Sequence, residues 1–350
     1  MINFFNFSYI DMLSQKGKIK PFFLYKITFL FFFIFFIIGY QSGEWPIFLQ
    51  MLPIYVSLIF LGLSHGAADH LCMWGLLSIK TPRIKLALIG IYFATALLYF
   101  LLWLLNPLIS ILLFFLLTIF HWGRADLYTS CFINNIDYLH RNKFMRFYYG
   151  FFRGSSPILL PVAFNQEVYL NFLNSLTFKE YQMFDFSYYV NFNLIFVPIL
   201  FLTLYIVIFL VVNKNRKKNY RMFLWDLLEN TLLIVWFLYV PVLWAIGIYF
   251  IFWHSLRHAL RILSSDNKGA EYLNDFSLKK LSLRWIELTG LINLIALIGI
   301  FIIFNTEIFN INDEYNIFSN IMIGISILTL PHALLIEIID IKYKRKHLID

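Results

Sequence analysis

Long apolar runs, each about the length of a bilayer-crossing helix, follow one another along this chain, with short polar segments between them. A hydrocarbon core about 30 Å thick needs ~20 consecutive apolar residues in a helix. Segments 21–40, 46–66, 86–105, 108–128, 192–212, 285–304 and 317–339 meet that length. Segment 222–262 is too long for one span, and Pro241 divides it into helices over 222–240 and 242–262. Segment 147–163 is marginal, because Arg153, Pro157 and Pro161 interrupt it.

The basic residues decide the marginal segment. They cluster at 16–26, 80–85, 141–146, 214–221, 268–284 and 342–346, while the intervening loops are short, neutral or acidic. Lysine and arginine collect in cytoplasmic loops. All six clusters share one side only if a crossing lies between Arg146 and the helix starting near Asn191, so 147–163 is expected to cross as a broken helix. The expectation is an all-α, polytopic transmembrane bundle of about ten helices, with eight or nine as the alternative count, and both termini cytoplasmic. No long linker divides the chain, so residues 1–350 form one integral-membrane domain with a short tail at 1–20 and a basic tail at 341–350. The first helix lacks a small-residue cleavage site after it and is not read as a signal peptide.

Composition sharpens this picture. Hydrophobic residues make up 60% of the chain and charged residues only 14%, with a mean hydropathy of +0.72. Soluble domains carry roughly 25% charged residues, so a soluble enzyme, a disordered chain and a nucleic-acid reader are excluded. The net charge of +8 sits in membrane-flanking clusters and implies no nucleic-acid partner. Two cysteines, Cys72 and Cys131, make no disulfide framework. A multi-pass protein of the cell membrane is the expected localisation.

Ionisable side chains inside membrane helices are costly and usually functional. Of eight histidines, His140 and His347 lie in basic loops. The other six fall in apolar segments: GLSHGAADH (His65, His70), TIFHWGRAD (His121), FWHSLRH (His254, His258) and PHALLIE (His332). The topology was fixed without reference to histidines, yet it puts all six near the cytoplasmic ends of even-numbered helices. His254 and His258 are four residues apart and share a helix face, a spacing suited to chelating one metal ion. Asp69, Asp126 and Glu337 follow His65, His121 and His332 by four or five residues. They are candidates to accept the second ring N–H of a metal-bound imidazole. His70, five residues from His65, points to another face. A lone membrane histidine is often only an interhelical hydrogen-bond donor. Six at one depth favour a shared metal or proton site, and imidazole alone does not name the metal. Arg124, Arg257 and Arg261 read as snorkelling or acid-paired cations, and Trp74, Trp122 and Trp253 as packing or interfacial residues, with pocket lining the alternative.

Taken together, HGAADH at 65–70, FHWGRAD at 120–126, WHSLRH at 253–258 and PHALLIE at 331–337 resemble the four motifs of the Brp/Blh family, the membrane β-carotene 15,15′-dioxygenases of bacteria and archaea. The motifs come in the family's order and span most of the chain. The resemblance implies a non-haem Fe(2+) enzyme that cleaves β-carotene centrally with O2 into two molecules of all-trans-retinal. It implies iron held by His65, His121, His254 and His258, with His332 in a motif but without an assigned role. It further implies a functional link to a retinal-binding rhodopsin. Substrate would arrive laterally from the bilayer into an apolar tunnel.

Three other readings fit less well. Membrane di-iron desaturases and hydroxylases need about eight clustered histidines with HH pairs, and this chain has none. A zinc intramembrane protease needs HExxH, where HSLRH puts Ser255 in the glutamate position. A histidine-relay transporter commonly shows paired repeats, and no repeat is evident.

Overall fold

The computed structural model describes residues 23–71, 73–74, 81–128, 130, 138–139, 142–176, 196–212, 220–275, 277–304 and 314–347. The expected tail at 1–20 and both cysteines lie outside them. The described residues are helical throughout, with no strand among them. In chain order the helices are α1 (Phe23–Gln41), α2 (Ile47–Gln50), α3 (Leu52–Ser57), α4 (Leu63–Ala67), α5 (Asp69–Leu71), α6 (Pro82–Leu105), α7 (Pro107–Tyr128) and α8 (Lys143–Phe164). They continue with α9 (Gln166–Leu176), α10 (Phe196–Val212), α11 (Tyr220–Tyr239), α12 (Val242–Ile248), α13 (Leu256–Ser265), α14 (Asn267–Asn274), α15 (Leu278–Phe304) and α16 (Glu314–His347).

The described residues of each of the ten apolar segments form a helix or a run of helical turns. Five of the described helices are long and apolar enough to cross a membrane unaided: Pro82–Leu105, Pro107–Leu127, Tyr220–Tyr239, Leu278–Ile302 and Ser319–Ile338. Their outward faces expose residues such as Leu97, Leu105, Leu291 and Phe301. That unbroken apolar surface suits lipid rather than water. The chain is therefore a polytopic helical membrane protein. Two helices escaped the hydropathy pattern: α9 and α14 lie in stretches that read as polar loops. Segment 147–163 is not broken. α8 runs on through Pro157 and Pro161.

Two breaks in helical regularity matter for function. Between α3 and α4, Leu58–Gly62 winds into a wider π-type turn, and Tyr249–Ser255 does the same between α12 and α13. Such wide turns leave backbone carbonyls without their usual partners and recur at functional sites. In a bilayer those carbonyls must be satisfied internally. At the first of these turns α15 supplies two donors: Asn293 Nδ2 reaches Ile59 O at 2.7 Å and Trp285 Nε1 reaches Phe60 O at 3.3 Å. The two wide turns pack on each other. Gly62 permits this, because a Cβ there would lie 2.8 Å from the Phe250 ring.

α7 and α8 make the closest helix pair. A Cβ at Gly123 would fall 1.9 Å from Gly150 O, and one at Gly154 would fall 1.9 Å from Ile119 O. Gly150 and Gly154 form a GxxxG pattern, the spacing that lets membrane helices approach backbone to backbone.

Candidate metal centre and substrate cavity

Four helical regions converge on one buried cluster of imidazoles. His121 comes from α7, His254 from the wide turn before α13, His258 from α13 and His332 from α16. All four are buried, at 3–4% exposure. The ring of His121 lies 4.8 Å from that of His332 and 5.3 Å from that of His254, centroid to centroid, and the His258 and His332 rings are 5.7 Å apart. His65 lies on α4, and its side chain is outside the described residues. Among the described residues no three of these side chains are drawn in tightly enough to form a closed metal cage.

Aromatic rings enclose the cluster. Phe250 stacks on His254 at 5.6 Å and Trp122 lies 5.3 Å from the same ring. His70 is engaged elsewhere: its Nδ1 pairs with Ala67 O at 2.8 Å and its ring packs edge-on to Trp74 at 5.1 Å.

The three acids do not serve the histidines of their own segments. Asp69 reaches across the bundle, where its Oδ1 meets His332 Nδ1 at 2.7 Å, and its Oδ2 accepts the Tyr92 hydroxyl at 2.8 Å. In this pairing the carboxylate accepts and His332 Nδ1 donates, which leaves Nε2 as the ring nitrogen not engaged by Asp69. This is the carboxylate–imidazole pairing that orients metal-binding histidines. Glu337 pairs instead with Arg124 at 3.2 Å. Asp126 meets two guanidiniums. Helix geometry explains the last two: a residue five positions on is rotated about 140° around the axis, away from the histidine's face. For Asp69, the turn at Ala68 ends α4 and redirects the chain.

Asp126 belongs to a buried ionic quartet. Arg153 Nε contacts Asp126 Oδ2 at 2.7 Å and Arg153 Nη2 contacts Glu229 Oε1 at 3.0 Å. Arg257 Nη1 contacts Asp126 Oδ1 at 3.2 Å, and its Nη2 also bonds Glu229. Arg153 Nη1 adds a bond to Asn230 Oδ1 at 2.9 Å. Two cations balance two anions, and the four residues come from α7, α8, α11 and α13. The quartet therefore ties the helix bearing His121 to the one bearing His258. Beside it, Asp226 accepts hydroxyls from Tyr138, Tyr149 and Tyr205. Sequence reasoning passed over Asp226 and Glu229, although two acids three residues apart inside an apolar helix were the signal.

His70, His121, His254 and His332 line a cavity of about 590 Å³ whose walls are otherwise almost wholly aliphatic and aromatic. That volume falls in the range of roughly 300–1,000 Å³ typical of small-molecule sites. An apolar chamber with histidines and one carboxylate at a single point suits a hydrophobic substrate and a metal-centred reaction.

A family profile described as beta-carotene 15,15′-dioxygenase matches residues 56–340. The chain belongs to that family. The matched region takes in all six membrane histidines and both acids of the cluster region, Asp69 and Asp126. A probable beta-carotene 15,15′-dioxygenase Blh of Halobacterium salinarum is 28% identical over 221 residues, which cover 61% of this chain and 62% of the relative. The beta-carotene 15,15′-dioxygenase of the uncultured marine bacterium 66A03 is 36% identical over 74 residues, or 21% of this chain and 27% of the relative. The chain thus matches less than two thirds of the length of either family member. No solved structure matches it.

Proposed function

We propose that this chain is a multi-pass β-carotene 15,15′-dioxygenase of the cell membrane. The observation that supports it best is the meeting of His121, His254, His258 and His332 in one buried cluster, three of whose members (His121, His254 and His332) line an apolar cavity, in a member of this family. The donor chemistry fits ferrous iron: neutral imidazoles are good ligands for it and leave its charge and open positions intact. His65, His121, His254 and His258 would hold the ion. His332, its Nδ1 committed to Asp69, would present Nε2 to the same centre. Iron, when bound, supplies the means of activating O2.

The remaining chemistry falls to the chain's own side chains. The aliphatic walls bind the polyene and exclude water. Phe250 and Trp122 pack against His254 and limit the positions open to the substrate's central double bond. Asp69 and Tyr92 fix the tautomer and orientation of His332. The overall conversion balances without an outside reductant: the central C=C breaks, and each carbon takes one oxygen atom of O2 to become an aldehyde. Each β-carotene yields two all-trans-retinal molecules, which a retinal-binding rhodopsin would consume.

Expression in a β-carotene-producing bacterial host tests this reading. The expected outcome is loss of orange colour with stoichiometric retinal. Retained β-carotene alongside well-folded protein in the membrane would overturn it.

A further inference from the structure

The described residues lining the cavity are mostly buried or half-buried. Three are instead open to the outside: Phe93 at 67%, Ile295 at 60% and Ile292 at 37% exposure. All three lie on just two helices, Phe93 on α6 and the isoleucines on α15. A side chain that both lines a cavity and faces outward marks its rim. The packing agrees: α6 lies against α7 and α16, and α15 against α4, α13, α14 and α16, while α6 and α15 share no extensive packing among the described residues. Both belong to the set long and apolar enough to span the bilayer, so this rim faces lipid.

One further residue bears on its width. Gly299 of α15 lines the cavity, and a Cβ there would meet nothing within 4 Å. A side chain at that position would extend into open space without forcing the backbone to move. Gly90 of α6 is also open, with nothing within 4 Å of its Cβ, but it does not line the cavity.

We infer that the carotenoid passes from the bilayer to the histidine cluster sideways, through a mouth between α6 and α15 rimmed by Phe93, Ile292 and Ile295, with Gly299 keeping the passage wide enough for a cyclohexenyl ring. This rests on the proposed carotenoid chemistry and names the route and the residue that limits substrate girth. Water-soluble ligands reach pockets from the aqueous side, whereas a ring-ended C40 hydrocarbon is dissolved in lipid. An opening between two lipid-facing helices is the one such a molecule meets first.

The test uses full-length protein in liposomes preloaded with β-carotene. Capture is followed without oxygen by the pigment's absorbance change, and O2 is then admitted to measure retinal. Gly299→Phe and Ile295→Trp are expected to slow capture about ten-fold and to lower kcat/KM by the same factor, with thermal stability near that of the parent. Gly90→Phe should behave as the parent. Should Gly299→Phe fail to fold, the lipid-facing Ile295→Trp and Phe93→Trp carry the comparison. Capture at the parent rate by the rim variants, or equal slowing by Gly90→Phe, would overturn the route, as would a parent protein that captures no pigment. A parent that captures β-carotene but releases no retinal on oxygenation would sink the cleavage chemistry while leaving the route standing.

Discussion

Replacing Arg153 with methionine is expected to destabilise the chain by about 3–5 kcal/mol, the typical cost of removing one partner from a buried ion pair. Arg153 is fully buried in α8 and contacts Asp126, Glu229 and Asn230. Without it, two buried carboxylates share the single guanidinium of Arg257, and the quartet acquires a net negative charge in a low-dielectric interior. Desolvation penalises that charge heavily. The measurement is thermal unfolding of detergent-solubilised protein, and the expected sign is a marked loss of folded material. Neutralising one acid as well, in Arg153→Met with Glu229→Gln, should recover part of the loss, because charge balance returns. If the single variant unfolds at the parent temperature, the quartet contributes nothing to holding α7, α8, α11 and α13 in register.

Asp69→Asn is expected to weaken iron binding about 10- to 100-fold, the usual consequence of losing a carboxylate that orients a metal-bound histidine. The carboxylate accepts from both His332 Nδ1 and the Tyr92 hydroxyl. An asparagine offers one neutral acceptor oxygen and a competing NH2 donor, so it fixes the imidazole tautomer poorly. Iron retention under graded chelator gives the affinity directly, without reference to turnover. Tyr92→Phe removes only the outer hydroxyl and should produce a smaller shift in the same direction. Unchanged chelator resistance in Asp69→Asn would separate the Asp69–His332 pair from metal binding altogether.

The fold was largely legible because hydropathy and charge act on whole segments. The described residues of the apolar runs are helical, and the marginal 147–163 segment lies within the continuous helix α8. Continuity of α8 was not legible. Pro157 and Pro161 read as breakers, yet the helix persists, packed through Gly150 and Gly154 against α7. Nor were α9 and α14, whose amphipathic turns look like loops to a hydropathy count. The histidines stood out because imidazole is expensive in lipid, and the structure brings His121, His254, His258 and His332 together. Their acid partners could not be read from spacing. Asp126 and Glu337 sit five residues beyond a histidine, and the helical twist turns them to other neighbours. Asp69 serves His332, 263 residues away in sequence, a pairing that only tertiary structure creates. The quartet was half-visible: Arg257 reads as a snorkelling or acid-paired cation, and the structure shows the acid pairing, but Glu229 was overlooked in its apolar helix.

Imidazoles from separate spans would together hold one ferrous ion. Metal analysis of the purified full-length protein, parent beside His121→Ala, checks this. One iron per chain is expected in the parent and little or none in the variant, with unchanged helical content by circular dichroism. A parent free of iron that still converts β-carotene to retinal, or a His121→Ala protein that keeps its full iron, would contradict it.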